Sequence, residues 1–242
     1  NLHEVETTVD LPDAFRRMLH LSKAPDRIEI YDNSHSHGQS PSGTMVVFEG
    51  GKPKKNDYRV FHIREASPED DVAMMAEVLR RRVGDERIRP YPDLVVIDGG
   101  KAQLAAALAV FRGRAMPMDV IGIAKGERRK RMEDVLYLPF RKNPLLLPKS
   151  SPVFKEIVRM RDEAHRFAVS SHRRWKRRED LTSGLGEIKG VGKKRLKVLL
   201  AQFSSIGAIR EAGVDAIAAI PGFTRNVAEE IVRAIGEKDE KA

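Results

Sequence analysis

Two aspartates occupy matching places in the chain. Asp32 follows the alternating run RIEIY at 27–31, and Asp98 follows DLVVI at 93–97. Both runs have the β-branched enrichment and the turn-forming flanks of a strand, so each aspartate stands at a strand's carboxyl end. One such carboxylate is ordinary turn or cap chemistry. Two on neighbouring strands, about 4.8 Å apart, repel each other and call for a compensating cation. Hard divalent metals, Mg²⁺ or Mn²⁺, suit oxygen ligands, and a metal so held activates water and neutralises a phosphodiester as it is cleaved. A third ligand is offered by RMRDEAHRFAVSSHRR at 159–174, where Asp162 and His165, three residues apart, share a helix face amid dense charge. Asp70 and Asp71 are further acids, although acids in a helix's first turn also complement its dipole. His35, just past the first strand, is a candidate supporting residue or phosphate contact.

The elements that position these groups are readable in outline. A helix within LPDAFRRMLHLSKAP leads in. Runs 43–48 and 58–63 form a hairpin around EGGKPKKND. Ser67 as N-cap and Pro68 at the first position open a helix. The strand at 93–98 passes through Gly99-Gly100 into a helix, and another strand covers 120–124. VLYLPF and PLLLPK form a short hairpin, and a long helix runs from Pro152 to about Ser170. Hairpin strands followed by βαβ crossovers specify an α/β fold, a mixed sheet with helices on its faces. Ligands of such sheets gather at the carboxyl ends of the parallel strands.

Beyond about residue 180 the pattern changes to short helices with an internal repeat. EIKGVGKKRLKVLL at 187–200 and AIPGFTRNVAEEIV at 219–232 align at an offset of 32 residues, pairing Gly190 with Gly222 and Val191 with Phe223, while Thr224 stands where the first copy has Gly192. A glycine turn opening a helix presents backbone N–H groups that grip a phosphate without reading a base. Lys193, Lys194 and Arg195 add charge to the first copy and Arg225 to the second. The first is therefore expected to grip harder.

The whole chain fits a polyanionic partner: 242 residues, net charge +9, pI about 9.8. HRRWKRR at 172–178 sets Arg173 and Arg174 beside Trp175, whose indole can stack on a base. There is no cysteine, which excludes disulfides and thiolate-bound metals and is compatible with a cytoplasmic setting. No apolar run approaches the roughly 18 residues of a membrane helix.

Together YDNSH, EDDVAMMAEVLRRR, DLVVIDGGKAQL, RDEAHRFAVSSHR and the tandem IKGVGKKR and IPGFTRN resemble the C-terminal half of the UvrC family, the incising subunit of bacterial nucleotide excision repair. The resemblance spans about residues 25–236. It implies a ribonuclease H-like endonuclease domain at 25–172, a basic linker at 173–183 and a small all-α tandem helix-hairpin-helix domain at 184–237, with a lead-in at 1–24 and a tail at 238–242. It implies incision 5′ to a lesion in damaged DNA (duplex, bubble or junction), in a complex with UvrB that UvrA has loaded. Asp32, Asp98 and His165 match the family's catalytic and metal-binding set, and Asp71 matches a further acidic position. Mg²⁺ or Mn²⁺ is the cofactor implied, with no other small-molecule cofactor and no membrane. His165 departs from the carboxylate usual at the third position of ribonuclease H-like sites, which favours one well-bound metal. The competing readings are a non-catalytic, structure-specific DNA-binding module with a structural acidic cluster, and a strand-junction resolvase.

Overall fold

The computed structural model describes residues 10–34, 41–114, 116, 118–125 and 134–239. His35 lies outside them. The contact pattern separates two compact units, 1–169 and 170–242.

The first unit is a mixed sheet between two helical layers. Its elements are α1 (Leu11–Leu19), β1 (Arg27–Ser34), β2 (Ser42–Glu49), β3 (Lys52–Pro53), β4 (Arg59–His62), α2 (Asp71–Gly84), β5 (Leu94–Asp98), α3 (Lys101–Arg112), β6 (Asp119–Lys125), β7 (Asp134–Tyr137) and the start of α4 (Pro152–Gly186). The sheet order is β3-β2-β1-β5-β6-β7, with β4 also paired to β2. β1, β5 and β6 are parallel; β2 and β7 run antiparallel to them.

Alternation along the strands sorts the side chains onto two faces. Ile28, Ile30, Leu94, Val96, Ile121 and Ile123 pack with Phe15 and Leu19 of α1 and Val153, Ile157, Met160 and Ala164 of α4. Tyr31, Val95, Ile97 and Val120 pack on the other face with Met75, Val78 and Leu79 of α2 and Leu104 and Phe111 of α3. Within that second face Glu29 and Arg82 are fully buried, and Arg82 donates twice to the Glu29 carboxylate, at 2.7 and 3.0 Å. Tyr31 donates to the same carboxylate at 2.6 Å, so a buried charge is matched by a fork of donors.

Three expectations change. Helix α2 starts at Asp71 with Asp70 as N-cap, accepting from the Ala73 N–H at 2.9 Å; Ser67 and Pro68 instead form the turn before it, closed by the Asp70 N–H to the Ser67 carbonyl. Both stretches carry cap chemistry, and the later one has the side chain aimed at the helix. The hairpin read at 135–149 reduces to a bridge between Leu136 and Leu145. Helix α4 continues past Ser170 through the basic run to Gly186, so residues 173–183 are helical.

The second unit comprises the rest of α4, then α5 (Lys193–Gln202), α6 (Ile206–Ala218, broken at Gly213, where φ is 71°) and α7 (Arg225–Asp239). The repeat survives in three dimensions bond for bond. The Ile188 N–H bonds to the Leu185 carbonyl as Ile220 does to Ile217, and the Val191 N–H to the Ile188 carbonyl as Phe223 does to Ile220. All six side chains are buried in one core, with Leu199 and Ile231 also matched at the same offset.

Candidate active site and nucleic-acid interface

The sheet ends in a polar row on the face that α4 covers. Tyr31 lies opposite Ile97 in the parallel pair β1–β5, so Asp32 and Asp98 are the next residues on adjacent strands. Their parity is that of Ile30 and Val96, which places both carboxylates on the α4 side. On β6 and β7 the same row continues with Lys125 opposite Asp134. Helix α4 answers it with Arg161 and His165, one turn apart beside buried Met160 and Ala164. His165 Nδ1 lies 3.6 Å from Asp32 Oδ2, an electrostatic approach slightly beyond hydrogen-bonding distance. The His165 side chain is 71 % exposed and that of Asp32 11 %, so the imidazole covers the open side of a largely enclosed carboxylate.

Burial, and then the charge of Asp98, push the Asp32 carboxyl up to about 6; His165 pulls the other way, and Asp71 adds a smaller upward push. Asp98 is raised as well, by burial first, against the opposing charges of Arg161 and His165. Two carboxyls displaced in this sense are waiting for positive charge. Among the described residues no group of three or more His, Asp or Glu side chains is placed to hold a metal ion by itself. The donor chemistry nonetheless fits a hard divalent cation: two enclosed carboxylates with raised proton affinity, and an imidazole on the solvent side.

Of the other sequence candidates, Asp71 opens α2 and is tied to β1 through its carbonyl, which accepts from Asn33 Nδ2 at 2.9 Å. It reaches the pair through its charge on Asp32. Asp70 is occupied as the N-cap. Asp162 points outward, its side chain 64 % exposed and bonded to Arg161 at 2.9 Å, so it does not join Asp32. The sequence reading passed over Asp134 and Arg161, whose ion pair closes at 2.5 Å between side chains each 18 % exposed. Parity on β7 is the signal that could have found Asp134, had that strand's partner been known.

In the second unit, Gly190 and Gly222 sit at φ of 89° and 93°, the third position of turns that require it. Gly192 and Thr224 follow as the residues before α5 and α7. The Leu196 N–H bonds to the Gly192 carbonyl and the Ala228 N–H to the Thr224 carbonyl, which leaves the earlier N–H groups of each helix start without an intrahelical acceptor. Gly192 has an ordinary extended backbone with φ of −78° and open space where a Cβ would be, so Thr224 fits the equivalent place and caps Val227 with its hydroxyl at 3.4 Å. Val191 and Phe223 point into the core, 6 % and 7 % exposed. Lys193 and Lys194 are exposed. Arg225 is exposed and paired with Asp215 at 3.1 Å and Glu229 at 3.4 Å. Arg195 is turned inward onto the turns. On α4, Trp175 is 41 % exposed, with Arg173 and Arg174 beside it and Arg174 reaching the Ser171 hydroxyl.

Comparison with known proteins places this geometry. Residues 16–169 match the family described as the UvrC RNAse H endonuclease domain, and residues 179–237 match the SAM-like helix-hairpin-helix tandem. The UvrABC system protein C of Chlorobium phaeobacteroides is 44 % identical over 211 residues, covering 86 % of this chain and 32 % of that protein. That of Syntrophotalea carbinolica is 42 % identical over 236 residues, covering 92 % and 38 %. The chain thus spans about a third of the length of these relatives. A solved structure of Ciona intestinalis endonuclease V with a 24mer DNA containing an inosine is 16 % identical, with a TM-score of 0.32 over 42 % of this chain and 47 % of that one.

Proposed function

The chain belongs to the UvrC RNase H endonuclease domain family, and from that membership we propose that it is the part of a nucleotide excision repair endonuclease that makes the 5′ incision beside a lesion. The observation that carries the reading is the pair of raised, adjacent carboxylates at the ends of β1 and β5 with an imidazole 3.6 Å from one of them. Asp32, Asp98 and His165 would hold a divalent cation, Mg²⁺ or Mn²⁺. When bound, the metal supplies a nucleophilic water and charge neutralisation at the phosphodiester. Asp71 adjusts the field around Asp32. His165, on the solvent side, would act as a neutral imidazole, either as the third ligand or as a proton carrier.

Residues 25–172 act as the nuclease and 184–237 as the grip on DNA. The turns at Gly190-Val191-Gly192 and Gly222-Phe223-Thr224 offer backbone N–H groups to phosphates, with charge from Lys193, Lys194 and Arg225. Arg173, Arg174 and Trp175 add phosphate and stacking contacts. Damaged duplex or bubble DNA is the substrate, presented by UvrB after loading by UvrA in the cytoplasm.

The test is a nicking assay on a lesion-bearing duplex with UvrA and UvrB, with Mg²⁺, with Mn²⁺ and with chelator. Expected is one metal-dependent cut 5′ of the lesion, lost in Asp32→Ala and Asp98→Ala while DNA affinity persists. Binding without cutting under every condition would leave a DNA-binding module, and preference for four-way junctions a resolvase.

A further inference from the structure

Arg195 is the third residue of α5, in the first hairpin copy, yet its guanidinium serves both copies. Nη1 donates to the Gly190 carbonyl at 2.7 Å and Nε to the Gly222 carbonyl at 2.8 Å. The same group lies 5.9 Å from the centre of the Phe223 ring. Both acceptors belong to the positive-φ glycines that shape the two turns. Position 227, the counterpart of Arg195 in the second copy, is Val, whose methyl stands 3.3 Å from where a Gly190 Cβ would be. The pseudo-symmetry is therefore broken at this position, and there a planar fork joins one turn to the other. A groove of about 590 Å³ runs between the turns, lined by Lys193, Lys194 and Arg195 on one side and Pro221, Gly222 and Phe223 on the other.

We propose that Arg195 is a positioning residue: it fixes the spacing of the two phosphate-binding turns so that both seat on one DNA backbone, and it is not itself a phosphate contact. The proposal rests on the reading that the turns bind DNA. A fork with separate, coplanar donors can span two carbonyls, whereas an ammonium delivers its charge to one point. With Nε and Nη1 engaged by peptide oxygens, the guanidinium is not aimed at a phosphate, and the salt slope should carry no unit from a direct contact by it.

The test measures duplex affinity of the full 242-residue chain across salt concentrations, well below its melting temperature. Lys193→Gln and Thr224→Glu are controls for the two turns. Lys193→Gln should weaken binding and reduce the salt slope by about one unit, and Thr224→Glu should weaken it by placing an anion at the second turn. If both bind as wild type, the turns do not hold DNA, and this inference falls with that reading. Given working controls, Arg195→Gln should lose roughly 5- to 20-fold in affinity with the slope unchanged, and should cost nothing further in the Thr224→Glu background. A slope reduced by about one would make Arg195 a phosphate contact and overturn the proposal. So would a lowered melting temperature with wild-type affinity, the sign of a purely structural role. Arg195→Lys keeps the charge but loses the fork; it should show the same affinity loss, and wild-type affinity there also refutes the proposal.

Discussion

Replacing Asp32 by Asn should stabilise the metal-free protein at neutral pH. The Asp32 carboxyl is held up at about 6 in the folded chain, against an ordinary value of 3.8, by burial first and Asp98 second. Unfolding releases it to ionise near 3.8, so the folded state binds the proton more tightly. Its penalty is absent below about pH 4, grows as the pH rises through 6, and is complete above. About two pKa units at 1.36 kcal/mol each gives roughly 3 kcal/mol at pH 7.5. Asparagine is neutral throughout and removes it. Unfolding in chelator should be followed by hydrogen exchange of β1 and β5 amides, because the one tryptophan, Trp175, belongs to the second unit. The variant should exceed wild type by roughly 2–3 kcal/mol at pH 7.5, and the difference should vanish near pH 4. Mn²⁺ at 100 times its Kd adds about 2.7 kcal/mol to the form that binds it and should cancel the difference, and at 1,000 times Kd, worth about 4.1 kcal/mol, the order should reverse. A variant less stable at pH 7.5, or a difference independent of pH, would refute the placement of two repelling carboxylates in one enclosed row.

Three further outcomes are expected. Arg161→Met removes the largest opposing charge on Asp98 and leaves the row more negative, so the apparent Kd for Mn²⁺ at pH 7, read by calorimetry without DNA, should fall several-fold; unchanged affinity would detach Arg161 from the site. Arg82→Met leaves buried Glu29 with only the Tyr31 hydroxyl and Arg27, 3.6 Å away, and should cost about 3 kcal/mol in urea unfolding, while the double variant with Glu29→Gln should recover part of it; an additive loss would contradict the pairing. Thr224→Gly should change second-unit stability by only a few tenths of a kcal/mol, whereas Gly190→Ala, forced to a φ of 89° against Val227, should cost more than 1 kcal/mol; comparable effects would refute the division between a required and a dispensable glycine.

The strand-end places of Asp32 and Asp98 were legible because alternation and turn-forming flanks are local signals, whereas the adjacency of β1 and β5 is a property of the sheet. The repeat was legible for the same reason, since every hydrogen bond that defines it lies within a few residues. Asp134 and Arg161 were not. Their pairing spans 27 positions (161 − 134), and β7 declares its face only once it is paired to β6. The length of α4 was hidden by the charge density at 172–178, which masks the apolar positions Leu181 and Leu185 that bury its far turns. Arg195 was read from its charge alone; that its Nε and Nη1 donate to the Gly222 and Gly190 carbonyls depends on the fold that brings the two turns together.

The polar row at the end of the sheet also governs which changes the chain can tolerate. Successive residues of a strand face opposite layers, so losing one residue within β1 would turn Tyr31 or Asn33 toward α4 and send Asp32 among Met75, Val78 and Leu79. Such a deletion changes a side chain's address without changing its identity. Insertions and deletions in β1 or β5 should therefore be far more damaging than substitutions at the same positions, while those in the turn at Gly50-Gly51, where glycines with positive φ face open space, should be absorbed. A library of single-residue deletions, sorted for incision, would show those two strands as sharp troughs between permissive turns.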